Sequence, residues 1–96
     1  MRYPILENDK VKIWRTVISP NDPLSLHRHD KQRVVVPLTD TKLKKIIDGS
    51  GRTEELEFKF RNAYWVEADP PSELHELHSD VNESDADMEV IVIEFK

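Results

Sequence analysis

The chain has 96 residues, 38% hydrophobic and 34% charged, with 14 Lys and Arg against 19 Asp and Glu and a formal net charge of −5. That length supports one domain with a single small core, and no basic cluster is large enough to follow a phosphate backbone, so nucleic acid is not an expected partner. Cysteine is absent, which excludes disulfides, thiolate metal sites and cysteine nucleophiles together.

Residues 1–10, "MRYPILENDK", carry no apolar core like that of a signal peptide, and no run in the chain approaches membrane-spanning length. A cytoplasmic protein without membrane association is expected. "MRYPIL" reads as an N-terminal arm, either a strand paired or exchanged across a homodimer or a frayed tail. From residue 11 the hydrophobic period is two. "VKIWRTVI" (Val11–Ile18), "ELEFKF" (Glu55–Phe60) and "EVIVIEF" (Glu89–Phe95) alternate, as half-buried strands do. β-Branched residues dominate "RVVV" and "EVIVI", favouring strand over helix.

Turn signals separate these runs. "SPNDP" (Ser19–Pro23), "DGSG" (Asp48–Gly51) and "ADPP" (Ala68–Pro71) each suit tight turns, and "IIDGSGRTEELEF" reads as a hairpin. Strands are expected near 10–18, 32–39, 42–48, 53–60, 63–68, 73–79 and 88–96. No segment shows a helical face over three turns. The expectation is an all-β single domain, residues 1–96, with 11–96 forming a small sandwich or barrel. The final strand, apolar on both faces, should be central or covered by a second subunit, and a homodimer is the expected assembly.

All four histidines fall in two short segments. His27 and His29 are an i, i+2 pair, so extended backbone sends both rings to one face, where neutral imidazoles suit zinc, iron, nickel or copper. The alternative is a solvated strand end. His75 and His78 lie together in "SELHELHSDVN". Trp14, Trp65 and Tyr64 read as core or interface residues. "SDVNESDADME" (Ser79–Glu89) lacks the glycine and acid spacing of a calcium loop and reads as a solvated loop. Nothing fixes the geometry of Glu67 and Asp69 as a carboxylate pair, and Ser25 and Ser72 lack a nucleophile turn.

"HRHDKQRVVVPLTD" (His27–Asp40) and "PPSELHELHSDVN" (Pro70–Asn82) together resemble the two motifs of a small single-domain cupin, a double-stranded β-helix (jelly-roll) barrel. The resemblance covers about Trp14 to Lys96 and is close to a short subgroup that reads "HRH…VVV.LTD". It implies that His27, His29 and one of His78 and His75 bind a divalent transition metal (iron, nickel, zinc or manganese) inside the barrel. The distance from Asn82 to the end of the chain favours His78, with His75 the alternative. Strand alternation runs the other way, because Leu77 shares a face with His75 and should point inward.

Arg33 falls where the motif places a glutamate, and Asp40 where it places a glycine. A guanidinium cannot ligate a cation. Three readings follow: a three-histidine site in which Arg33 binds a substrate carboxylate, a site with Gln32 as fourth ligand and Arg33 turned outward, or a site without metal. Three-histidine cupins include dioxygenases of small substrates, so the resemblance implies a small-molecule ligand and a dioxygenase-like reaction on a small carboxylate or thiol. The alternative is a non-catalytic or metal-free binding cupin.

Overall fold

A computed structural model describes residues 1–24, 29–47, 51–69 and 77–96. These form eight strands: β1 (Arg2–Glu7), β2 (Val11–Ile18), β3 (Arg33–Pro37), β4 (Thr41–Ile47), β5 (Thr53–Phe58), β6 (Tyr64–Val66), β7 (His78–Val81) and β8 (Met88–Phe95). Five build one antiparallel sheet in the order β1-β2-β8-β3-β6, and three build a second in the order β5-β4-β7. No helix among the described residues is long and apolar enough to cross a membrane.

The period of two dictates which side chains meet between the sheets. On β2, Trp14, Thr16 and Ile18 are buried while Ile13, Arg15 and Val17 between and beside them are only half-buried; on β8 the buried set is Met88, Val90 and Val92. Trp14, Val35, Val90 and Val92 form one apolar cluster, and Ile18, Leu43 and Met88 a second. Fully burying an aliphatic side chain contributes about 1.5–3 kcal/mol, so these clusters hold the sheets together. The terminal strand β8 is central, flanked by β2 and β3, which accounts for its two apolar faces.

The arm becomes a strand within its own chain. β1 pairs antiparallel with β2, and Asn8 closes the connection by accepting from the backbone N–H of Lys10 and Val11. As an edge strand with a bulge between Pro4 and Leu6 it tolerates the missing proline donor. In "SPNDP" Asn21 adopts a left-handed φ of 53°, which Asn accommodates better than most residues. The expected hairpin is β4–β5, with Gly51 at φ 72°. Of the strand expected at 73–79, residues 73–76 lie outside the described residues, and β7 starts at His78.

Candidate functional site

The starts of β3 and β7 and the ends of β4 and β8 converge at one end of the interior, and the polar residues gather there. Arg33 shares the inward face of β3 with the buried Val35 and Pro37, so the departure from the acidic motif position points into the barrel. His78, Asp80 and Asn82 are all buried, whereas Leu77 is 38% exposed. That parity settles which face β7 turns inward: the face of His78, opposite to that of Leu77. The ring centroids of His29 and His78 lie 5.3 Å apart, tilted by 42°.

His27 and His75 lie outside the described residues. Gln32 is exposed, and its amide nitrogen donates to Glu67 at 3.3 Å. The structure therefore brings together His29, His78 and Arg33 and leaves Gln32 on the outside, with Arg33 inward rather than outward.

A cavity of about 450 Å³ runs between the sheets beside this cluster. Trp14, Val35, Leu43, Phe58 and Val92 line its apolar walls, and His29, Arg33 and Asp80 its polar part. At the margin the Arg2 guanidinium lies 3.7 Å above the Trp14 ring, a cation–π contact.

Asp69 had no assigned role in the sequence, and its position explains how His29 is held. Its carboxylate accepts from the His29 backbone N–H at 2.6 Å, and its own N–H donates to the His29 carbonyl at 2.7 Å. Partial burial pushes the Asp69 carboxyl up, but the His29 hydrogen bond and the charges of His78 and Lys45 outweigh this and hold it below the usual carboxylate range. Asp80 was also missed. The signal was available, because it stands two residues after His78 and so shares its face. Across the β3–β8 ladder Arg33 stands opposite Glu94. Burial pulls the Arg33 pKa down, against the opposing fields of Asp69, Asp80 and Glu94, and its buried Nη1 has no hydrogen-bond partner among the described residues.

Two imidazoles bound through nitrogen at about 2.0–2.1 Å to one tetrahedral ion place their ring centres about 5 Å apart. The His29–His78 spacing of 5.3 Å fits that arrangement. Among the described residues alone, no group of three or more His, Asp or Glu is arranged to hold an ion, so a complete set needs a ring from outside them.

No protein-family model and no curated protein matches the chain. Solved structures do. Over the whole chain it is similar to a cupin domain from Bordetella pertussis, with 22% identity, a TM-score of 0.81 and 92% of that chain covered. An RmlC-like cupin with a double-stranded β-helix fold from Methanocaldococcus jannaschii aligns with 99% of this chain and 78% of its own, at 12% identity and a TM-score of 0.70. The polyketide cyclase RemF from Streptomyces resistomycificus aligns with 92% of this chain and 56% of its own, at 19% identity and a TM-score of 0.60. The chain therefore has the double-stranded β-helix fold of the cupins, as its two motifs implied.

Proposed function

We propose that the chain is a small-molecule-binding cupin whose polar end holds a divalent transition metal through His27, His29 and His78, with His75 as the alternative third ring. The observation that carries this reading is the inward His29–His78 pair at the end of an apolar-walled cavity of about 450 Å³. Such a volume lies within the range of small-molecule sites, about 300–1,000 Å³. A bound metal would supply Lewis acidity and, if it is iron, the electrons for oxygen chemistry. Asp69 fixes the backbone of His29, the apolar walls exclude water, and Arg33 donates to the ligand's acceptor head. A small carboxylate or thiol is the substrate class, and dioxygenation the reaction class.

A non-catalytic, metal-free binding protein is the second reading, favoured by the inward guanidinium of Arg33, which supplies no lone pair and repels a cation. Elemental analysis of untagged protein separates the two. Near-stoichiometric iron, nickel, zinc or manganese that falls sharply in His29→Ala and His78→Ala, and survives His75→Ala, supports the metal reading. Absence of metal, with no thermal shift on adding these ions, removes it. With metal present, oxygen uptake in the presence of small carboxylates and thiols distinguishes enzyme from binder.

A homodimer is part of the proposal. The outer face of the five-stranded sheet presents Leu6 and Trp65, 51% and 56% exposed, on its two edge strands, with Ile13, Ile91, Ile93 and Val34 on the ladder between them. Sedimentation at micromolar concentration should give twice the chain mass; a monomer overturns this part. A cytoplasmic location completes the proposal and is checked by cell fractionation.

A further inference from the structure

Two guanidinium groups, Arg2 and Arg33, line the cavity, and Asp22 and Asp80 are its acids. Both arginines belong to the inward face of the five-stranded sheet. Arg33 follows the parity of the buried Val35, and Arg2 stands opposite the buried Thr16. Arg33 is level with Glu94 on β8 and so with Lys12 on β2, two strands and two residues from Trp14. The Arg2 guanidinium reaches over the Trp14 ring, 3.7 Å from its centre. Strand spacing and rise then set the two cationic groups on the order of 10 Å apart, with the apolar walls between them. The Val17 N–H, donating to the Met1 carbonyl at 2.8 Å, ties the backbone beside Arg2 to β2. Neither guanidinium is in an ion pair among the described residues, and the buried Nη1 of Arg33 has no hydrogen-bond partner among them.

We infer that the cavity takes a dicarboxylate with an apolar body, one carboxylate on Arg33 and the other on Arg2, so that Arg2 sets a preference for the second charge. This deepens the small-carboxylate reading of Arg33 and rests on it; it does not depend on a metal. A carboxylate at the inner end supplies the acceptor that Nη1 lacks. At the outer end, a guanidinium held over a ring face keeps its planar fork of N–H donors for a carboxylate. Trp14, Val35, Leu43, Phe58 and Val92 supply the apolar surface for the body between them. Paired geometry at two ends, rather than the net charge of the lining, carries the recognition.

Suberate and its monomethyl ester are matched probes that differ by one charge, and calorimetry on the purified protein reads both. Suberate should bind at least about tenfold more tightly than the ester, as a second charge-assisted pair with a guanidinium allows. Arg2→Met should bring suberate to within about threefold of the ester, and Arg2→Lys should keep part of the preference. Succinate, too short to span the two groups, should exceed its own monomethyl ester by less than about threefold. Equal binding of suberate and its ester, a preference that survives Arg2→Met, or one equally large for succinate overturns the inference. Arg33→Met tests the underlying reading separately. Ester binding that falls at least about tenfold there supports that reading whatever Arg2 does. Ester binding that does not fall, or wild-type protein that binds neither probe, sinks the reading and the inference together. Should Arg33→Met not fold, the wild type and Arg2→Met still decide the inference.

Discussion

The two ends of the interior are buried to the same degree and do opposite things energetically. At the apolar end Trp14, Val35, Val90 and Val92 are 4–8% exposed, and their burial drives folding. At the polar end His78 and Asp80 are 5% and 8% exposed, and burying such groups costs stability unless each is bonded or paired. Other buried polar groups have structural duties. Thr16 accepts from the Trp14 indole, and Asn82 donates to the carbonyls of Ile18 and Ala86. Arg33 has no such duty for its Nη1 among the described residues. A small domain that keeps an inward guanidinium, two histidines and two carboxylates at one end is holding polar groups where an apolar core would be more stable, which is how binding sites differ from cores.

Mutations at the two ends should break along that line. Trp14→Ala should be the most damaging, costing about 3–5 kcal/mol, because it removes an aromatic side chain from the centre of the main cluster and leaves a cavity; urea unfolding measures it. A loss below about 1 kcal/mol would mean the sheets do not depend on this cluster. Arg33→Met should cost somewhat less, about 2–4 kcal/mol, because Asp80 and Glu94 lose their compensating charge. The double variant Arg33→Met/Asp80→Asn should recover part of that loss, and strict additivity in the double-mutant cycle would show that the two charges are uncoupled.

The remaining predictions concern weaker interactions. The Asp69 carboxyl is held below its unfolded value of about 3.9, so its stabilisation is complete above that pH and is lost as pH falls through the folded value. Asp69→Asn should therefore flatten the acid limb of the stability curve below about pH 4 and leave the neutral-to-basic limb parallel to wild type. An unchanged acid limb would remove Asp69 from the account. Smallest of all, Lys96→Ala breaks an exposed pair with Glu7 whose ammonium and carboxylate lie 2.7 Å apart and should leave the melting temperature unchanged within error.

Much of this contrast was legible in the residues. The period of two in "VKIWRTVI" and the β-branched apolar run of "EVIVIEF" identified β2 and β8, because side-chain direction in a strand follows sequence parity and β-branched residues favour extended backbone. Glycine and proline turns bounded the hairpin for the same local reason. The start of β7 was not legible: "SELHELHSDVN" offers His75 and His78 on opposite parities, and only the pairing of His78 with Ile47 fixes which parity faces inward. Likewise "MRYPIL" reads as a strand paired or exchanged across a dimer or as a tail, and its ladder with β2 of the same chain is a pairing that the sequence pattern does not specify.

The sequence by itself therefore determined the all-β class, the strand faces and the chemical inventory of the site, because these depend on spacing and side-chain type. The tertiary structure decided what the inventory adds up to. It turned Arg33 inward, set His29 beside His78, tied His29 to Asp69 from 40 residues away, and gathered Asp80 and Glu94 around the guanidinium. Electrostatics depends on distance and burial between residues far apart in the chain, and a one-dimensional pattern carries neither.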